Sequence, residues 1–152
     1  MLAVSLASPG ARPAAATTPP ACASVIVSVD WDHGRAEKVS GVVVRVRYPG
    51  ALDVPLDKGR PGSAQDRVQL LTSASGGLFD AVPRDSDADG RMDVLSIGLI
   101  TQGIPSGKFA RIGFDCAGGV AKVGASDFSC VSDIADEAGA VPSSCSVAVV
   151  AD

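Results

Sequence analysis

Residues 41–48 read Gly-Val-Val-Val-Arg-Val-Arg-Tyr, and that alternation limits what the chain can fold into. In an extended backbone, Val42, Val44, Val46 and Tyr48 point to one face, while Val43, Arg45 and Arg47 point to the other. One face suits a core and the other suits water, the pattern of a strand in an antiparallel sheet with one solvated side. Helical periodicity is not found elsewhere in the chain, whereas period two recurs. Val25, Val27 and Val29 share a face in 24–29, and Ala110, Ile112, Phe114 and Cys116 share one in 108–116.

Further short apolar runs fall at 52–56, 67–72, 78–82, 94–100, 127–131 and 145–150, separated by Gly-, Pro- and Ser-rich turns. Pro55 suits the 52–56 run to an edge or a strand start. The runs 67–72 and 78–82 are expected to pair across residues 73–77, and residues 132–144 to hold one helical turn at most. About nine short strands at this spacing predict an all-β sandwich or jelly roll. A chain of 152 residues with 46% hydrophobic content can build one real core and is short for two, so a single domain is expected. The net charge of −4 gives no basic cluster for nucleic acid or an anionic membrane, and no run reaches the length of a membrane-spanning helix.

Residues 1–16 are small and apolar and end in Ala14-Ala15-Ala16, which reads as a signal-peptide-like leader without its positively charged start, or as an Ala/Pro leader. Residues 17–21 read as a linker, which leaves 22–152 for the sandwich. Four cysteines follow, Cys22, Cys116, Cys130 and Cys145, with no C-x-x-C and one histidine in the chain, so a zinc site has little to draw on. Behind a signal-like leader the even count reads as two disulfides in a secreted or cell-surface protein, with three connectivities open. The alternative is four buried thiols in a reducing compartment.

Two stretches concentrate polar chemistry. In residues 85–93, Asp85, Asp87, Asp89 and Asp93 surround Gly90 in a D-x-D-x-D-G-x-x-D spacing, with Arg91 offering a backbone carbonyl. Alternate oxygen ligands around a turn-permitting glycine suit calcium, and four close carboxylates repel one another unless something neutralises them. Ser96 stands where an EF-hand has its bidentate Glu, so the loop is EF-like at best; the plainer reading is a solvated hairpin turn. Asp30, Asp32 and His33 form the one cluster with an imidazole, at a place where such residues ordinarily make a turn. Trp31 is the one aromatic residue expected to serve as a sugar-stacking platform, its alternative being a plug at one end of the sandwich.

The order of four segments resembles the cohesin pattern. GVVVRVRYPGALDVP is similar to a cohesin strand that ends in Tyr, turns at Pro and continues into a short strand. DGRMDVLSIGL resembles the glycine-turn strand, IPSGKFARIGFDC the strand that follows, and DFSCVSDIADEAGAVPSSCSVAVV the closing segment. The resemblance spans about residues 22–150. It implies a nine-stranded jelly-roll β-sandwich of the carbohydrate-binding-module superfamily, extracellular and non-catalytic, that binds polysaccharide or a dockerin-like protein. The four cysteines, the single-domain layout and the acidic loop depart from the usual cohesin, and no binding residue of the family transfers by motif. In such a jelly roll the first and last strands are neighbours, which would pair Cys22 with Cys145 and leave Cys116 for Cys130.

The expectation is thus a monomeric binding module, not an enzyme, with Trp31, Arg45 and Arg47 as its ligand contacts and calcium at the acidic loop. The arginines form a basic stripe for an acidic partner helix or uronic-acid sugars, or else serve only to solubilise the sheet. A calcium-stabilised structural or adhesive domain is the second reading. An enzyme is a distant third, since no nucleophile with a base and no phosphate loop is in the sequence.

Overall fold

A computed structural model describes residues 22–31, 39–72, 77–116 and 122–150. The leader, the linker, Asp32 and His33 lie outside the described residues. Ten strands form two antiparallel sheets, and no α-helix occurs among the described residues. They are β1 (Ala23–Trp31), β2 (Gly41–Arg47), β3 (Leu52–Asp53), β4 (Val68–Leu70), β5 (Leu78–Arg84), β6 (Val94–Ile100), β7 (Gly107–Cys116), β8 (Ser129–Asp136), β9 (Gly139–Val141) and β10 (Ser143–Val150). Sheet 1 runs β10-β1-β7-β3, with β4 also paired to β7; sheet 2 runs β5-β6-β2-β8-β9.

The alternation sets which face of each strand is buried. Val25, Val27 and Val29 of β1 and Ile112 and Phe114 of β7 meet Val42, Val44, Val46, Leu95 and Ile97 of sheet 2 in one buried cluster. Removing a Val or Leu side chain from water in this way contributes about 1.5–3 kcal/mol per residue. Phe109 and Ala110 are adjacent and yet both buried. The register slips between Val27↔Ala110 and Ser28↔Lys108, so Phe109 is the extra residue of a β-bulge and both side chains turn inward.

Several expectations change. Residues 132–144, expected to hold one helical turn at most, are largely strand: β8 continues to Asp136 and returns as β9, with the Ala138 amide donating to Asp136 Oδ1 at 2.8 Å and Gly139 at φ 121°. A positive φ there favours glycine, and the Asp side chain closes the turn. The expected pairing of 67–72 with 78–82 does not form, because β4 pairs with β7 and β5 with β6, in different sheets. Pro55 falls in the loop after β3, and the proline inside a strand is Pro83, tolerated because β5 is an edge.

The disulfides also differ from the expected Cys22–Cys145 and Cys116–Cys130. They join Cys22 to Cys116 and Cys130 to Cys145, with Cα separations of 5.8 and 6.0 Å. The first and last strands are indeed neighbours, but antiparallel register carries Ser24 to Val150 and Val29 to Cys145, so Cys22 and Cys145 sit at opposite ends of the pair. On its other side β1 pairs Ala23 with Phe114 of β7, which delivers Cys116 to Cys22. Two disulfides suit an oxidising, extracellular environment. No helix among the described residues is long and apolar enough to cross a membrane.

The polar loop between β3 and β4 is built around Asp57, whose side chain is 1% exposed. Its carboxylate accepts from the Gln65 amide at 3.0 Å, the Asp66 amide at 2.9 Å and Arg60 Nε at 2.9 Å. Its own amide donates to Ser63 O at 2.8 Å.

Candidate functional site

Residues 85–93 connect β5 to β6, whose last and first residues, Arg84 and Val94, face each other in register. The connection folds on its own carboxylates. Gly90 N–H donates to Asp85 Oδ2 at 2.7 Å, and Arg91 N–H donates to Asp89 Oδ1 at 2.8 Å. Gly90 takes φ 89° and Ala88 takes φ 58°; the glycine does so freely, the alanine against its Cβ. The result brings one carboxylate oxygen each from Asp85, Asp87 and Asp89 within 4.8 Å of one another.

Partial desolvation acts to raise the Asp85 carboxyl, but hydrogen bonds from the Gly90 amide, the Asp87 carboxyl and the Asp89 amide outweigh it and hold Asp85 below the usual range. Asp87, hydrogen-bonded to Asp85, partly desolvated and beside the charge of Asp89, is held above it. Three carboxylate oxygens so placed are of the kind a hard cation takes, but are half or fewer of the roughly six to eight that calcium uses. The other two residues of the motif point their side chains elsewhere. Asp93 accepts from the Ser86 hydroxyl and from the Ser86 amide at 2.7 Å, and Arg47 Nη1 donates to it at 3.4 Å. The Ser86 bonds lead in holding its carboxyl low, with Arg47 assisting. The Arg91 guanidinium donates to the carbonyls of Pro49 at 3.4 Å and Leu52 at 3.3 Å, tying the loop to the β2–β3 turn.

Strand register places this loop against the predicted arginine stripe. Across the outer face of sheet 2, one row reads Arg84–Val94–Arg47–Ser129 and the next Val82–Ser96–Arg45–Val131. Then come Asp80–Gly98–Val43–Asp133 and Leu78–Ile100–Gly41–Ala135. An open groove of about 650 Å³ lies over the first row and over Arg45 and Val131 of the second, with Asp85 and Met92 of the loop also lining it. Arg45 Nη1 reaches Asp133 Oδ2 at 2.6 Å, and the Arg45 and Arg47 side chains are 49% and 59% exposed. Exposed pairs of this kind contribute about 0–1 kcal/mol, so both guanidiniums are available to an anionic ligand at little cost.

Of the expected ligand contacts, Arg45 and Arg47 thus lie together in the groove and Trp31 does not. Trp31 ends β1 in the other sheet at 6% exposure, its amide donating to Ser106 Oγ at 3.3 Å and its Nε1 without a partner among the described residues. A buried ring offers no face for stacking, so the platform expectation is corrected: Trp31 is part of the core. Asp30 beside it accepts from the Ser106 hydroxyl at 3.3 Å.

No protein-family model, curated protein or solved structure matches the chain. The site is therefore read from its own geometry. Sequence reasoning missed Arg84, Met92 and Val131 as groove residues. Arg84 and Val131 do alternate outward in their strands, but only the register of β5, β6, β2 and β8 sets them beside Arg45 and Arg47.

Proposed function

We propose that the chain is a secreted, non-catalytic binding module with a cohesin-like jelly-roll sandwich, which takes a carbohydrate or a dockerin-like protein partner on the outer face of sheet 2. The groove carries this reading. It joins Arg45, Arg47 and Arg84 to the apolar Met92 and Val131 on a chain whose net charge is −4. A cationic hollow with apolar walls on an otherwise acidic surface is a place where a ligand gains both charge and burial. The resemblance adds support, since its four segments fall in order on β2–β3, β6, β7 and β8–β10. The test is to screen the purified protein on a glycan array and against dockerin modules, and to repeat any hit with Arg45→Ala and Arg47→Ala together. Loss of the hit assigns the groove. A hit that survives moves the ligand to another surface, and silence on both screens followed by turnover of any substrate overturns the module assignment.

A calcium-stabilised structural or adhesive domain is the second reading, favoured by the close approach of Asp85, Asp87 and Asp89. Calorimetric titration with calcium chelated and then restored separates the two: a binding module without a calcium requirement keeps its partner in chelator.

A further inference from the structure

The class of partner can be narrowed, resting on the reading of the outer face of sheet 2 as the binding face. Saccharide rings are held largely by stacking on exposed aromatic faces with polar groups beside them. The chain has six aromatic residues, and none offers such a face. Trp31, Tyr48, Phe109, Phe114 and Phe128 are buried, and Phe79 is partly buried against the core. What the groove presents instead is alkyl and thioether surface, Met92 at 44% and Val131 at 61% exposure. Beside it stand the guanidiniums of Arg45, Arg47 and Arg84, and Arg84 has no salt bridge among the described residues. Methionine adapts its shape to aliphatic groups, and arginine forks bind carboxylates in two-point fashion.

We propose that the groove binds a short extended peptide segment whose groove-facing side chains, every second residue, mix acidic and aliphatic groups, the carboxylates meeting Arg84 and Arg47 and the aliphatic groups meeting Met92 and Val131. The dimensions suit it. The row Arg84–Val94–Arg47–Ser129 crosses four strands. At about 4.8 Å between neighbours it spans about 14 Å, the reach of roughly four extended residues. Charge complementarity sets the sign: the groove lining carries three arginines against the one carboxylate of Asp85, on a chain whose net charge is −4.

The experiment uses immobilised heptapeptides in which Glu and Leu or Val take turns at every second position with Ser between, matched sets with Gln or Lys in place of Glu, and oligogalacturonate as an anionic saccharide. Hits are followed by fluorescence anisotropy on the full chain. The Glu set is expected to bind and the Gln and Lys sets not to, with affinity falling as salt is raised. Arg84→Gln should weaken binding by about tenfold, as loss of a charge-assisted hydrogen bond does. Val131→Asp, at a position exposed enough to leave folding intact, should weaken it by repulsion. Oligogalacturonate binding more tightly than every Glu peptide, with the same arginine dependence, would overturn the peptide assignment and leave the binding face standing. Equal retention of the Glu and Gln sets would overturn it too. Silence of all peptides and of oligogalacturonate, together with silence on the glycan and dockerin screens, would remove the binding face itself.

Discussion

Removing the two disulfides one at a time should cost unequal amounts of stability. Cys22 and Cys116 are 94 residues apart in sequence, and Cys130 and Cys145 are 15 apart. In the loop-entropy model the first crosslink restricts the unfolded chain by about 4.7 kcal/mol and the second by about 3.0 kcal/mol, a difference of about 1.6 kcal/mol. The packing lost with each pair is comparable, because all four cysteines are partly buried against the same core, so the difference survives in the measured values. The loops do not overlap in sequence, so the two effects should also add. The assay is equilibrium urea unfolding of Cys22→Ala/Cys116→Ala and Cys130→Ala/Cys145→Ala against the parent, each by linear extrapolation. The first variant should also show the larger rise in m, since it releases the larger loop.

The opposite ranking would refute this reasoning and point to the folded state. Cys22–Cys116 joins β1 and β7, neighbours already tied by a ladder of backbone hydrogen bonds, whereas Cys130–Cys145 links β8 of sheet 2 to β10 of sheet 1. Were cross-sheet stapling the larger contribution, the short loop would be the costly one to open.

Four further outcomes follow from the loops. Asp57→Ala should destabilise by about 1–3 kcal/mol, because it strands the Asp66 amide and leaves the Gln65 amide only its 3.4 Å bond to the Ser63 hydroxyl, and urea unfolding reads it. Burial acts to raise the Asp57 carboxyl, but the Asp66 amide, the Arg60 guanidinium and the Ser63 hydroxyl hold it below its usual value. Its contribution is therefore present above the unfolded-state pKa near 4 and lost as pH falls through the lower folded value; Asp57→Asn should flatten the acid limb of a melting-temperature profile. Calcium at a hundredfold excess over its Kd should raise stability by about 2.7 kcal/mol, and Asp87→Ala should abolish the gain; a melting temperature indifferent to chelator would reduce the loop to a turn. Ala88→Gly should raise the unfolding free energy by about 0.5–1 kcal/mol, read as a higher urea midpoint at unchanged m, since φ 58° is strained for a residue with a Cβ, and no gain would mean the loop relaxes that strain elsewhere.

What could be read from the chain and what could not divides along sequence distance. The inward set of β2, the inward valines of β1, the span of β6 and the outward arginines are all consequences of period two within a few residues, and all stand in the structure. The β9 hairpin escaped because its strand is only three residues long, too short for period two to show, although Asp136 and Gly139 both mark the turn. The disulfide pairing escaped for a different reason. The first and last strands are neighbours as expected, but adjacency does not say which ends meet: the antiparallel direction of β10 against β1 carries Cys145 to Val29, away from Cys22.

The groove belongs to that second class. Arg47 and Asp93 are 46 residues apart, and Arg45 and Asp133 are 88 apart. The acidic loop and the arginine stripe look like separate features until β2 pairs with β6 in the register Arg47↔Val94. That pairing sets the stripe beside the root of the loop, where Asp93 accepts from Ser86 on one side and from Arg47 on the other. One carboxylate thereby connects the loop holding Asp85, Asp87 and Asp89 to an arginine of the groove floor. A cation drawing on Asp85 would act at a wall of the same hollow that offers Arg45 and Arg47 to an acidic ligand. The proposed ion site and the proposed binding face are therefore neighbours, and an ion at the one would change the charge met by a ligand at the other.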